Sequence, residues 1–260
     1  MNFKIIAHTL LAALLLAGLT ACATGAPDRA LVASGHPDWP PVMFARDGRM
    51  DGVGPALEKK IFADLGLRAE FPAAGSWDEV QAKGRRGEVD VLIAAYKTTA
   101  REEYFAYSLP YINDPLVLFV KKGHEFAFAK NEDLIGQTGV GTTGDSYGED
   151  FDHFIAAHLK FRWVGTTREA LDLVRNGQAD YYIYSLYSGH EELKTEKSEA
   201  EFSVLPHILA EEPFYLAISK QSPFLKYLPD INRLILKYQA DGTVGQLTAQ
   251  YKAQFFPVQK

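Results

Sequence analysis

The residues best suited to chemistry lie between Glu88 and Tyr111, in the stretch EVDVLIAAYKTTAREEYFAYSLPY. Val89 to Ala95 is a short apolar run that reads as a buried strand. A polar turn, Tyr96-Lys97-Thr98-Thr99-Ala100, separates that run from Arg101. In an open α/β sheet, ligands sit just beyond the carboxyl ends of the strands, and Arg101 stands a turn beyond such an end. Its guanidinium is a fixed fork of donors suited to a planar carboxylate. The same residue could open a solvated helix, paired with Glu102 or Glu103. Spacing alone leaves both readings open.

Composition removes several other chemistries. The chain has 260 residues, enough for one large or two small domains, and is 47% hydrophobic and 23% charged, as in ordinary globular proteins. A net charge of −6 without a Lys/Arg cluster argues against nucleic-acid binding. The one cysteine, Cys22, rules out a disulfide framework and a Cys-based metal site. His153 and His158 are five apart, not the four that would stack them on one helix face, so they make a poor metal pair. No phosphate loop, dinucleotide fingerprint or Ser/His/Asp order is visible, and no cofactor is implied.

The elements that must hold Arg101 are also readable. Residues 1–21 form a targeting segment: Lys4 leads the apolar run Ile5–Leu19, which ends Leu19-Thr20-Ala21-Cys22. Residues 22–30 read as a tether. Leu31–Ser34 is the first strand, followed by the Pro-rich loop His36–Pro41 and an extended Val42–Phe44. Leu57, Ile61 and Leu65 recur at helical spacing up to Gly66, and Leu67, Ala69 and Phe71 alternate as a strand.

One unit then occurs twice. Ser76 with Glu79, and Thr166 with Glu169, read as capping boxes. Each helix ends at a glycine, Gly87 or Gly177. Each glycine is followed three residues later by an aspartate, Asp90 or Asp180, within an apolar strand. Such a repeat suits two similar α/β lobes. Pro115–Val120 and Phe214–Ser219 read as crossovers between them, with hinge residues at Asn113–Pro115 and Glu211–Pro213. Lobe one then spans 28–112 plus 213–260, and lobe two spans 113–212. Thr143-Gly144-Asp145-Ser146 reads as a turn into a helix bearing Phe151, Phe154 and Ile155. Two helices, near Phe224–Gln239 and Val244–Gln254, end the chain.

The pattern strand–x-T-T-x-R–aromatic, followed by Ser108-Leu109-Pro110-Tyr111, resembles the polar-amino-acid class of bacterial extracellular solute-binding proteins, family 3. The A-D-G-T turn at Ala240–Thr243 fits the same family. The resemblance runs from about Leu31 to about Phe256. It implies a type 2 periplasmic-binding fold: two lobes, each a mixed sheet flanked by helices, joined by two hinge crossovers. It further implies a monomer that closes on a small-molecule ligand and passes it to an ABC permease or a sensor protein. Leu19–Cys22 resembles a lipoprotein box, which would place Cys22 under a lipid anchor on the periplasmic side. Ordinary cleavage near Ala21 or Ala23 is the alternative.

By resemblance, Arg101 holds the ligand's carboxylate and Trp39 and Trp77 wall its side chain. Ala94, Tyr96 and Thr98 line the site from lobe one. Gly144, Asp145 and Ser146 complete it from lobe two through backbone N–H groups at a helix start. Ser185 stands where the family places an aspartate for the α-ammonium, Asp145 where it has Ser or Thr, and Gly54-Pro55-Ala56-Leu57 where it often has acids. These departures leave open whether Asp145 takes the ammonium or the ligand is another acid, amine or aromatic. Asp145 could instead cap its helix. A cyclohexadienyl dehydratase-like enzyme, with Asp145, Glu149 or Glu212 as general acid, and a non-transport sensory lipoprotein are the competing functions.

Overall fold

In a computed structural model, which describes residues 27–255, the apolar runs become central strands and the periodic segments become covering helices. Lobe one opens with β1 (Leu31–Ser34) and a small sheet of β2 (Asp38–Trp39), β3 (Met43–Arg46) and β4 (Arg49–Asp51). It continues through α1 (Val53–Asp64), β5 (Ala69–Glu70), α2 (Trp77–Arg85), β6 (Val91–Ala95), α3 (Thr99–Glu102) and β7 (Phe105–Tyr107). Strand β8 (Ile112–Lys121) leads into lobe two. There follow β9 (Thr138–Thr142), α4 (Glu149–His158), β10 (Lys160–Val164), α5 (Thr167–Arg175), β11 (Tyr181–Ser185), α6 (Leu186–Glu196) and β12 (Phe202–Val204). Strand β13 (Ala210–Ser219) returns, and α7 (Leu228–Ala240) and α8 (Thr243–Phe255) pack with α1.

The main sheet runs β10-β9-β11-β8-β13-β6-β1-β5, so β8 and β13 stand side by side at its centre. Both are longer than the apolar runs suggested. Their amino-terminal halves pair antiparallel with each other, from Ile112 opposite Phe214 to Leu116 opposite Ala210. Beyond that ribbon β8 pairs with β11 in lobe two, and β13 pairs with β6 and β7 in lobe one. The residues read as hinges therefore lie inside a hydrogen-bonded two-stranded ribbon, with Asn113 opposite Pro213 and Asp114 opposite Glu212. A paired ribbon can twist, but it cannot swing like a free loop.

The duplicated unit has a definite job in each lobe. Asp90 and Asp180 stand just before their strands, not within them. Each carboxylate takes an N–H from the neighbouring parallel strand: Val32 N donates to Asp90 at 2.9 Å and Thr138 N to Asp180 at 2.6 Å. Each backbone N–H returns the bond to the same residue's carbonyl. Lobe one adds a bidentate ion pair from Arg29 to Asp90, at 2.6 and 2.7 Å. The last residues read as tether are thus docked on lobe one. The Ser76–Glu79 capping box is complete. The second is only half formed: Thr166 accepts from Glu169 N, while the Glu169 carboxylate takes Gly165 N instead. The strand expected over Leu67–Phe71 shrinks to Ala69–Glu70.

Among the described residues no helix is long and apolar enough to cross a membrane. The targeting segment and Cys22 lie outside the described residues.

Candidate functional site

Strand β6 is buried at every position and ends against the hinge, so the residues after it emerge at the junction of the lobes. Two local irregularities aim them. Ala94 adopts φ +50°, a left-handed conformation that costs a residue with a Cβ of order 1 kcal/mol or more. The pairing of β13 with β6 slips between Tyr215 and Ala217, a bulge at the same level. Thr98 then caps α3 by accepting Arg101 N at 3.2 Å. The cap aligns the turn that turns Arg101 inward, and the residue is only 6% exposed.

Arg101 thus lies in the cleft rather than on a solvated helix face. Its Nε donates to Gln81 Oε1 at 3.0 Å, Nη1 to Tyr96 O at 3.0 Å, and Nη2 to Gly144 O in lobe two at 2.9 Å. Its guanidinium carbon sits 5.5 Å from the Trp77 ring centroid. Trp77 and Gln81 are four apart on α2, on one face of the helix that the Ser76 cap starts. All three acceptors are neutral, and no carboxylate is within ion-pairing distance of Arg101 among the described residues. Burial lowers its pKa from the usual guanidinium value, while Tyr107 and the more distant Asp145 and Asp152 act in the opposite sense. Two of its five N–H groups remain for a ligand.

A narrow cavity opens beside this group. Trp39, Trp77, Ala94, Tyr96, Arg101, Asp145 and Ser146 line it, seven of the ten ligand-contact residues the sequence proposed, joined by His36, Met43 and Phe214. Thr98 and Gly144 line a wider, polar opening next to it. Ser185 lines neither; it lies behind the walls and donates to Asp114 Oδ1 at 2.7 Å.

Asp114 organises those walls. It projects from the hinge ribbon, fully buried, and its other oxygen accepts Trp39 Nε1–H at 3.0 Å and the Tyr96 hydroxyl at 2.7 Å. Burial pushes its pKa up to about 6, against the pull of those three donors. Tyr96 accordingly presents its ring to the cavity, stacked on Phe214 at 4.5 Å, and its hydroxyl is taken. Trp39 packs edge-on against Tyr184 of lobe two at 4.7 Å, and the Tyr184 hydroxyl donates to Asp38 O at 2.6 Å. The lobes thus meet through aromatic rings and backbone carbonyls.

The lobe-two turn departs from expectation. Helix α4 begins at Glu149 after Gly148, so Asp145 caps nothing, and no helix start faces the cavity at residues 143–146. Asp145 N bonds Thr142 O, and the Ser146 hydroxyl donates to Asp152. Gly144 has φ +89°, a left-handed conformation that favours glycine, and it lies against the Asp78 carboxylate of lobe one. The Asp145 side chain is 3% exposed. One oxygen lies 4.0 Å from His36 Nε2, and the other has no hydrogen-bond partner. Burial raises its pKa to about 8, while Arg101 pulls the other way. His36 accepts Asp38 N on Nδ1 at 3.0 Å, and burial lowers its pKa to about 3, so it stays neutral with its proton on Nε2.

Sequence reading missed His36, Gln81, Asp114 and Phe214. Asp114 carried a signal: an acid beside a proline inside an otherwise apolar strand. Among the described residues no cluster of His, Cys, Asp or Glu could hold a metal ion.

Comparison with known proteins places the fold and the family. The model of the bacterial extracellular solute-binding proteins, family 3, matches residues 31–254, and the chain belongs to that family. The amino acid ABC transporter substrate-binding protein AbpA of Streptococcus pneumoniae, solved with L-arginine, superposes with a TM-score of 0.71 at 22% identity, over 87% of this chain and 96% of that one. A histidine kinase sensor domain similar to periplasmic binding proteins gives 0.72 at 19% identity, over 86% and 96%. Those two likenesses concern the fold. The virulence sensor protein BvgS of Bordetella pertussis is 26% identical over 160 residues, 58% of this chain. The match spans only 13% of that sensor's length.

Proposed function

We propose that this family 3 solute-binding protein closes on a small carboxylate-bearing solute, outside the cytoplasmic membrane, on behalf of an ABC importer or a sensor. The observation that carries the reading is Arg101, a buried guanidinium without an anionic partner, in a cavity lined from both lobes. A buried cation of this kind is costly unless a charge meets it, and a ligand carboxylate would supply that charge. The aromatic walls would exclude water and bound the ligand's size. Export and lipid attachment at Cys22 belong to the same proposal. The importer and sensor readings separate by whether deleting the gene abolishes uptake of the bound solute.

The test is calorimetry on Arg101→Ala with the best ligand from a thermal-shift panel of amino acids, organic acids and amines. Truncating one partner of a buried charge-assisted pair costs about 2–5 kcal/mol, so affinity should fall at least about 30-fold. Unchanged affinity would remove the carboxylate reading.

One observation also serves a catalytic reading. Asp145 is a buried acid that holds its proton near neutral pH, as a general acid must. Formation of aromatic product from prephenate or arogenate would replace the receptor by a dehydratase; recovery of both unchanged would retain the receptor.

A further inference from the structure

We infer that the last turn of α8 clasps lobe two away from both cavities, and that this clasp sets the balance between closed and open lobes. The inference rests on the reading that the lobes close on a solute.

Helix α8 packs with α1 and α7 of lobe one, yet Val244 is its only buried residue. The end of the helix completes its hold on that lobe. The Tyr251 hydroxyl donates to Asp51 Oδ1 at 2.7 Å, and the Phe255 ring packs edge-on against Phe44 at 5.1 Å. The same turn also reaches α6 of lobe two. Lys252 Nζ donates to the Tyr187 hydroxyl at 2.7 Å and stands 4.0 Å from the centroid of that ring. Lys194 Nζ answers from α6, donating to Phe255 O at 3.2 Å.

The two bridges are reciprocal: each lobe sends one lysine to a partner on the other. Tyr187 and Lys194 are two turns apart on α6, so one face of that helix meets the Lys252–Phe255 turn. Phe255 O belongs to the carbonyls that a helix end leaves unpaired, where a cation is favourable. The start of α6 is held as well, by Ser188 Oγ donating to Pro40 O at 2.8 Å.

Separation of the lobes about the hinge ribbon would break both lysine bridges and leave the Tyr251 and Phe255 contacts to lobe one intact. Tyr187, Lys194, Lys252 and Phe255 line neither cavity. The clasp therefore favours the closed arrangement without touching a solute. A second cross-lobe contact lies elsewhere, at the polar opening, where Thr99 N and Oγ1 donate to Glu149. It supplies an independent reference.

The experiment compares the full chain with Lys252→Met, Tyr187→Leu, Lys252→Arg and the reference Glu149→Ala, with melting curves confirming that each variant folds. One readout is hydrogen exchange of the Trp39 indole N–H by NMR, a group buried against Tyr184 of lobe two. The other is calorimetry with whichever of L-arginine, L-glutamine, L-glutamate and glutarate binds. Lys252→Met and Tyr187→Leu should shift the closed-to-open ratio about 5- to 30-fold against closure. If the lobes rest mostly closed, indole exchange accelerates by that factor; if they rest mostly open, affinity for every bound solute falls by it. Lys252→Arg keeps the cation and should behave as wild type in both readouts. Combining Lys252→Met with Tyr187→Leu should add little to either alone. Where none of the four solutes binds, exchange alone decides.

A fall in melting temperature with both readouts unchanged would overturn the clasp and leave the contacts as packing. If Glu149→Ala moves a readout and the clasp variants move neither, the clasp is wrong and closure stands. If none of the three moves either readout, closure itself fails.

Discussion

The hinge ribbon and the lobe-two turn each bury an aspartate, and the two are treated in opposite ways. Asp114 in the ribbon binds Trp39 and Tyr96 of lobe one and Ser185 of lobe two, tying both lobes to one carboxylate. Asp145 in the turn keeps a bare oxygen within a cavity. The contrast separates architecture from recognition. A saturated carboxylate holds walls in place and has little left to offer a ligand, whereas an unsaturated one destabilises the empty protein and is relieved by the right partner.

Stability measurements can break this comparison. Each buried donor left unpaired costs about 1–3 kcal/mol, so Asp114→Ala should lower unfolding free energy by at least about 3 kcal/mol in urea titration. Asp145→Ala should change it by less than about 1 kcal/mol or raise it, since Thr142, which bonds Asp145, also has the Tyr182 hydroxyl as a partner. Equal losses at the two sites would erase the distinction.

Glu58 on α1 sharpens the test. It is fully buried, neither carboxyl oxygen has a partner, and burial raises its pKa well above the usual value. It lines neither cavity described above. Glu58→Met should therefore stabilise the protein by about 1–3 kcal/mol without altering ligand affinity. A loss of stability would show that bare carboxyls here are satisfied by something unseen, and would weaken the case at Asp145.

The smallest expected effect is at His36. Its folded pKa of about 3 lies below the ordinary value of 6.5. Between those values the unfolded chain binds a proton that the folded chain refuses. Its contribution is therefore complete above pH 6.5 and is lost as pH falls toward 3. His36→Asn should flatten the acid side of a melting-temperature profile and leave neutral pH almost unchanged. An acid limb of undiminished slope would assign that loss to other groups.

The units built by local rules were legible in the chain itself. The Ser76 cap, the turn glycines Gly66, Gly87 and Gly177, and the apolar run of β6 act over a few residues, so spacing reveals them. Arg101 was legible for the same reason: it follows a buried strand by one short turn, and the Thr98 cap turns it inward. The Asp90 and Asp180 repeat was visible too, although its purpose, pinning the neighbouring strand, was not.

What spacing could not reveal is which donors meet which acceptors across long separations. Asp114 lies 75 positions from Trp39 and 71 from Ser185, and nothing local marks the three as partners. The sequence allowed Asp145 to cap a helix, but folding started α4 four residues later and left the carboxyl in the cleft. Local propensity selects strands, helices and turns, whereas the state of a buried charge depends on every group packed around it. That environment exists only once the whole chain has folded.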